Sequence, residues 1–151
     1  MKTSPGRVLG IDYGSRRVGV AVSDPLQMLA GGVGTLANDS TLLDKLAAIV
    51  HEQEASLVVV GMPYAPDGGK GAKALEVEAF IGLLRAKIRV PIETWDESFT
   101  TAEAHQAFRE GGMRRKQRAA KGKVDEMAAR LLLQGFLDEN GKPAPESLSG
   151  Q

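Results

Sequence analysis

Three carboxylates occupy positions from which a sheet and a helix could bring them together. Asp12 ends a strongly apolar run between Gly10 and Gly14, where an ionised carboxylate is costly unless it is paired or metal-bound. Glu97 follows a second strand-like run, and Asp125 opens the last helix-like segment. Ligands gather at the carboxyl ends of strands in open α/β sheets. The three acids therefore predict an all-oxygen site for Mg²⁺ or Mn²⁺, able to activate water for phosphodiester cleavage.

Each of these acids also has an ordinary structural explanation. Asp12 could cap the turn that follows it, and Glu97 could be a solvated loop acid. Asp125, placed by the pattern in the first turn of a helix, would be favoured there by the helix dipole alone. The combination favours a site, because three converging carboxylates repel one another and a divalent cation relieves that repulsion.

A basic stretch leads directly into Asp125. Residues 114–123 contain six basic residues and no acidic one, a pattern that suits contact with the phosphates of a nucleic acid. A solvated charge run is the commoner meaning of such a stretch, and it stays open as the alternative. The predicted nucleic-acid contacts are this stretch, read as a loop, and two arginines of an earlier turn: Arg16, Arg17, Arg114, Arg115, Lys116, Arg118, Lys121 and Lys123.

Composition limits the class of protein. The chain has 151 residues, which favours one compact domain, and 19 basic residues balance 19 acidic ones. It contains no cysteine, so disulfide frameworks and cysteine-based zinc sites are excluded. No segment is apolar for long enough to cross a bilayer, and the first residues do not resemble a secretory signal. A cytoplasmic protein without membrane contact is expected.

Positioning the acids requires alternating strands and helices. Strands are predicted at residues 7–13, 18–23, 33–36, 57–60 and 91–96, and helices at residues 41–54, 72–87, 100–110 and 123–137. Asn38 or Asp39 is expected to cap the first helix, and Thr100 with Glu103 matches a capping box for the third. Helical spacing predicts these inward-facing residues: Leu42, Leu43, Leu46, Ile49 and Val50; Leu75, Ala79, Leu83 and Leu84; Val124, Met127, Ala128, Leu131 and Leu132.

This order of elements predicts an α/β protein of RNase H-like fold. Three antiparallel strands followed by alternating helices and strands give a mixed five-stranded sheet flanked by helices. Residues 1–139 are expected to form the domain, and the Pro-, Ser- and Gly-rich residues 140–151 a disordered tail.

Four colinear motifs closely resemble the YqgF (RuvX) family over roughly residues 7–138. They are residues 10–23 (GIDYGSRRVGVAVS), 59–63 (VVGMP), 96–101 (DESFTT) and 121–125 (KGKVD). The resemblance implies an RNase H-like nuclease in which Asp12, Glu97 and Asp125 are the catalytic acids. Members are described as nucleases that process the 5′ end of pre-16S ribosomal RNA, and as Holliday junction resolvases.

Two positions depart from the family pattern and bear on substrate contact. The family usually has Asn in the loop that follows Gly-x-Pro, where this chain has Ala65-Pro66, and it often has Arg after Asp-Glu, where this chain has Ser98. The three acids are intact. The expected partner is a nucleic acid, either structured RNA or branched or single-stranded DNA, bound by a monomer or weak homodimer.

Other functions remain open on the sequence. An ATP-binding domain of the actin and sugar-kinase group also carries Asp-x-Gly before a hairpin, but it needs a second such domain for which this chain has no room. A nucleic-acid-binding module that does not cleave is the other alternative. Within the nuclease interpretation, junction resolution would require a dimer that cuts two strands symmetrically. Ribosomal RNA processing is preferred on the family description.

Overall fold

A computed structural model describes residues 6–64, 69–96 and 121–140, with the side chains of the last range described from residue 125. The elements along the chain are β1 (Arg7–Tyr13), β2 (Arg17–Ser23), β3 (Ala30–Ala37), α1 (Leu42–Glu52), β4 (Ala55–Met62), α2 (Ala72–Arg85), β5 (Ile92–Asp96) and α3 (Lys121–Asn140). All five predicted strands are present. The helix expected at residues 100–110 and the tail from residue 141 onward lie outside the described residues.

The strands form one mixed sheet in the order β3-β2-β1-β4-β5. β2 pairs antiparallel with both β1 and β3, whereas β4 pairs parallel with both β1 and β5. The predicted mixed five-stranded sheet is therefore confirmed. Because β1, β4 and β5 run in the same direction, their carboxyl ends meet at one edge of the sheet, and Asp12 lies near the end of the central strand.

Both faces of the sheet are covered, which explains why β1 and β4 are wholly apolar in their middle. On one face, Leu9, Ile11, Val58 and Val60 join a core that α1 and α2 complete. On the other face, alternate residues of β1, β2 and β4 pack against α3. These alternate residues include Val8, Ala21 and Val59. The side-chain alternation of the strands therefore decides which face each site residue occupies.

Helix α1 follows the prediction closely, but its cap does not. Leu42, Leu46 and Val50 are buried, and Leu43 and Ile49 pack against the same core. The residue before the helix, Thr41, makes no side-chain cap bond. Asp39 instead accepts hydrogen bonds from the Thr41 amide and hydroxyl at 2.9 and 2.6 Å, which organises the turn before the helix.

The inner face of α2 differs from the prediction. Leu75 and Leu83 are 55% and 60% exposed, and Ala79 is exposed as well, whereas Leu84 is buried as expected. The Phe80 ring stacks on Tyr13 of β1, with ring centroids 4.4 Å apart. With this contact, the larger apolar stripe of α2 faces the sheet. Its buried residues are Ala74, Val77, Phe80, Ile81 and Leu84.

Helix α3 is longer than predicted at both ends. It begins at Lys121, so the last part of the basic stretch is helical rather than loop, and Asp125 lies beyond the first turn. The helix-dipole explanation for Asp125 is weakened, because that effect falls off after the first turn. Asn140, expected in the tail, is part of the helix.

The buried face of α3 also differs in part from the prediction. Ala128 and Leu132 are buried as expected, whereas Met127 and Leu131 are half-buried. The buried face consists of Ala128, Ala129, Leu132, Leu133, Phe136 and Leu137. Phe136 meets Trp95 of β5 edge to face, with centroids 5.9 Å apart. That contact and the close approach of Leu133 to β1 fix the rotation of the helix.

Candidate carboxylate site

Asp12 lies on the face of the sheet that α3 covers. It is the last but one residue of β1, and strand alternation places it on the same face as Val8 and Gly10. The next residue, Tyr13, is on the opposite face, where it stacks on Phe80. The Asp12 side chain is half-buried. It is therefore at the carboxyl end of the central strand, on the face that α3 covers.

Asp125 reaches the same place from α3. In the antiparallel pairing of β1 with β2, Asp12 stands directly opposite Gly19. A Cβ atom added to Gly19 would overlap the main-chain carbonyl oxygen of Asp125. The backbone of Asp125 thus rests on the cross-strand neighbour of Asp12. Two acids that are far apart in sequence therefore lie on the same face of the sheet, with the Asp125 backbone against the residue that pairs with Asp12.

Glycines in the sheet allow this close approach. A Cβ atom at Gly10 would lie 2.8 Å from Cβ of Leu133, and one at Gly32 would overlap the carboxylate of Glu126. Real Cβ atoms do not approach other atoms so closely, so α3 lies where larger residues would exclude it. Glu126 is consequently held over β3, the edge strand beyond β2, and is not grouped with the two acids.

Arg17, predicted as a nucleic-acid contact, makes an ion pair within the site. Its Nε donates a hydrogen bond to Oδ2 of Asp125 at 2.9 Å. The side chains are 38% and 26% exposed, so the pair is partly shielded from solvent. Strand alternation puts Arg17 and Gly19 on the same face, but no local pattern gives the register of α3. The neighbouring Arg16 is exposed, and a contact with nucleic acid stays a prediction for it.

The turn that carries the arginines is fixed by Asn38, which was expected to cap α1. Asn38 donates from its side-chain amide to the carbonyl oxygen of Gly14 at 2.7 Å, and from its backbone amide to that of Arg16 at 2.9 Å. A Cβ at Gly14 would overlap the carbonyl oxygen of Arg17, so this turn requires glycine at that position. These contacts define the backbone from which the Arg17 side chain extends.

The described residues supply two of the three predicted acids. Oxygen donors of this kind suit Mg²⁺ or Mn²⁺. Within residues 6–64, 69–96 and 125–140, no group of three or more His, Cys, Asp or Glu side chains forms a candidate metal cluster. β5 ends at Asp96 beside Met62 of β4, one residue before Glu97.

Several predicted site residues have no described position to compare. Glu97, Arg114, Arg115, Lys116 and Arg118 lie outside the described residues. Lys121 and Lys123 belong to the first turn of α3, and their side chains are not described. Ala65, Pro66 and Ser98, the departures from the family pattern, also lie outside. The roles given to all of these residues stay predictions.

No helix among the described ranges is long and apolar enough to span a membrane.

Sequence comparison gives a family and named relatives. A family model described as RuvX, Holliday junction resolvase, matches residues 6–139. A protein of Clostridium novyi (strain NT) is 42% identical over 134 residues, which is 87% of this chain and 98% of the relative. A protein of Koribacter versatilis (strain Ellin345) is 38% identical over 146 residues, covering 95% of this chain and 94% of the relative. Both are named as candidate pre-16S rRNA nucleases.

Solved structures with the same fold include two resolvases bound to Holliday junctions. RuvC of Thermus thermophilus has a TM-score of 0.54 and 14% identity, covering 89% of this chain and 94% of that chain. The Fowlpox virus resolvase also has a TM-score of 0.54, with 10% identity, covering 88% of this chain and 97% of that chain. At these identities the likeness concerns the fold alone, and it confirms the predicted RNase H-like fold.

Proposed function

Because the chain belongs to the RuvX family, we propose that it is a metal-dependent nuclease whose catalytic acids are Asp12, Glu97 and Asp125. The observation that carries the proposal is that the Asp125 backbone lies against Gly19, the residue that pairs with Asp12 across β1 and β2. Two carboxylates on one face of the sheet offer oxygen donors of the kind that a divalent cation prefers, and the ion pair with Arg17 engages only Oδ2 of Asp125.

The three acids would hold Mg²⁺ or Mn²⁺, and the bound ion would lower the pKa of a water molecule and stabilise negative charge on the leaving oxygen. The protein itself contributes position. The end of β1 fixes Asp12, and the contact of α3 with Gly19 fixes the backbone of Asp125. Arg16 and the basic residues of 114–123 would bind substrate phosphates.

The proposed substrate is the 5′ region of pre-16S ribosomal RNA, cleaved in the cytoplasm during ribosome assembly. The names of relatives that match along nearly their whole length support it. The proposed nuclease domain spans residues 1–139, where the family match also ends, and acts as a monomer or weak homodimer. Residues 140–151 are proposed to be a tail outside it, apart from the helical Asn140.

A second candidate is cleavage of four-way DNA junctions, which the description of the matching family favours. That reaction cuts two strands symmetrically and needs a two-fold symmetric dimer. The two candidates share the acids and differ in substrate and assembly.

One experiment separates these candidates. Purified protein is incubated with precursor rRNA, a four-way DNA junction and single-stranded DNA, each with Mg²⁺, Mn²⁺ or EDTA. We expect cleavage of the rRNA precursor that EDTA abolishes. Asp12→Asn should lower the rate by more than the roughly 100-fold that loss of an outer-shell partner of a metal costs.

The matched control is Asp44→Asn, which removes an exposed carboxylate on α1 that pairs with Lys87. It should cleave like the wild type. Cleavage that persists in EDTA would rule out the metal mechanism, and full activity of Asp12→Asn would rule out the assigned site. Symmetric nicks confined to the junction would replace the RNA substrate with the DNA one.

A further inference from the structure

The ion pair between Arg17 and Asp125 joins the start of β2 to α3. Arg17 Nε donates to Asp125 Oδ2 at 2.9 Å, across 108 positions of sequence. The bond occupies Oδ2 and does not involve Oδ1. A carboxylate has a broad terminal torsion, so without such a partner the two oxygens of Asp125 would sample many orientations. The planar guanidinium of Arg17 offers donors in a fixed arrangement, so it is well suited to holding the Asp125 carboxylate in one orientation.

The backbone that presents Arg17 is itself held in place. Arg17 pairs with Ala37 at the end of β3, and Asn38 bonds the two carbonyl groups of the preceding turn. The guanidinium therefore extends from a defined position and not from a loose loop. On the other side, Gly19 fixes the distance between the α3 backbone and the sheet. Both ends of the ion pair are anchored independently of the bond between them.

We propose that Arg17 is a positioning residue that orients the Asp125 carboxylate as a metal ligand, rather than a residue that binds substrate phosphate. The proposal rests on the proposed metal-dependent function. Outer-shell partners of this kind hold ligating carboxylates in one orientation, and losing one typically costs about 10- to 100-fold in metal affinity or activity. The rival role, a phosphate contact, would leave metal affinity intact and would contribute to the salt dependence of nucleic-acid binding.

Metal binding without nucleic acid tests the proposal directly. Mn²⁺ is titrated into the metal-free full chain, and free Mn²⁺ is followed by electron paramagnetic resonance. Arg17→Gln should raise the Mn²⁺ dissociation constant roughly tenfold, and Arg17→Lys should recover part of the affinity. In an Asp125→Asn background, adding Arg17→Gln should change the constant less than about twofold, because the oriented ligand is already gone.

Arg89→Gln is the matched control for charge. Arg89 is exposed in the segment that precedes β5, at the edge of the sheet opposite the acids. Its replacement should leave Mn²⁺ affinity unchanged. Circular dichroism of each variant verifies the fold, and Arg17→Lys keeps the test decisive if Arg17→Gln does not fold.

Nucleic-acid binding in EDTA supplies the second readout. Fluorescence anisotropy with a precursor rRNA fragment over a range of KCl should give the same affinity and salt slope for Arg17→Gln as for the wild type. A salt slope reduced by about one with intact Mn²⁺ affinity would identify Arg17 as a phosphate contact and overturn the proposal. Tighter Mn²⁺ binding by Arg17→Gln would also overturn it, because the arginine would then be a competing counter-ion.

Failure of the nuclease function would look different. A wild-type protein that binds Mn²⁺ through Asp125 and Arg17 but cuts neither RNA nor DNA would refute the proposed function and leave the positioning role intact. Cleavage by a protein whose Mn²⁺ affinity is the same in wild type and in Arg17→Gln would refute the positioning role and leave the proposed function intact.

Discussion

At the scale of residues, Asp24 organises the turn between β2 and β3 with its side chain. Its carboxylate accepts backbone hydrogen bonds from Met28 at 2.7 Å, Leu29 at 2.8 Å and Leu26 at 3.2 Å. These bonds favour the charged form, the bond from Leu29 most strongly, and they hold the pKa of Asp24 below its ordinary value of 3.8.

The lowered pKa predicts a pH-dependent stability. A carboxylate whose pKa is lower in the folded chain stabilises it fully above the unfolded pKa and loses that contribution as pH falls through the folded one. Asp24→Asn should therefore destabilise the protein at pH 7, by less than about 1 kcal/mol because the turn is exposed. Urea unfolding should show a smaller difference from the wild type at pH 3. An equal difference at both pH values would contradict the assignment.

Residue identity singled out Asp12 as a candidate but did not give the contacts of Arg17 and Asn38. Asp12 could be recognised because an acid in an apolar strand is anomalous within a short stretch of sequence. The partners of Arg17 and Asn38 could not be recognised in this way, because each partner belongs to another part of the chain. Arg17 was expected to face nucleic acid and meets Asp125, and Asn38 was expected to cap α1 and instead joins the hairpin turn.

At the scale of elements, the distance between α3 and β2 determines whether the acids meet. Gly19→Ala would place a methyl group on the main-chain oxygen of Asp125, so the helix must move. Overpacking of this kind costs about 1–3 kcal/mol in stability. A displacement of 1 Å can cost about 100-fold in rate. We expect both effects, measured by urea unfolding and by single-turnover cleavage of precursor rRNA.

Gly31→Ala is the matched control for this prediction. Gly31 is in β3, and its added Cβ would meet only the Val22 carbonyl oxygen, at an ordinary 3.9 Å. The free energy of unfolding of Gly31→Ala should stay within about 0.5 kcal/mol of the wild-type value, as for most surface substitutions. If the two variants behaved alike in stability and cleavage, close contact at Gly19 would not control the position of α3.

The strands were easier to predict than the orientation of the helices. β1 and β4 are short apolar runs whose character is visible in neighbouring residues. In α2, two helical stripes were available, and the prediction of the one containing Leu75 and Leu83 is wrong because the stacking of Phe80 on Tyr13 selects the other. A helical pattern gives the period of a helix, but its rotation is set by the surface it packs on.

At the scale of the whole molecule, equal numbers of acidic and basic residues conceal an uneven arrangement. If residues 114–123 bind phosphates, changing Arg114, Arg115 and Lys116 to Gln should weaken binding to precursor rRNA. The slope of log affinity against log salt should fall by roughly 0.7–0.9 for each phosphate that the variant no longer neutralises. Fluorescence anisotropy across a KCl series measures both quantities.

A variant with Arg85, Lys87 and Arg89 changed to Gln controls for total charge. Arg85 ends α2, and Lys87 and Arg89 lie in the segment that follows it and leads into β5. This variant should keep the wild-type slope. Identical slopes for both triple variants would show that the basic stretch is only a solvated surface.

The separation of 108 positions between Arg17 and Asp125 also determines when, during synthesis of the chain, the site can form. The hairpin of β1 and β2 joins neighbouring parts of the chain and can form early during synthesis, whereas contacts over such separations form late. A nascent chain that ends before α3 would present Asp12 on an uncovered sheet, without Asp125 and without the ion pair that Arg17 makes with it. The chain would thus acquire nuclease activity only when α3 has been translated and has docked on the sheet. By then every other described element has left the ribosome.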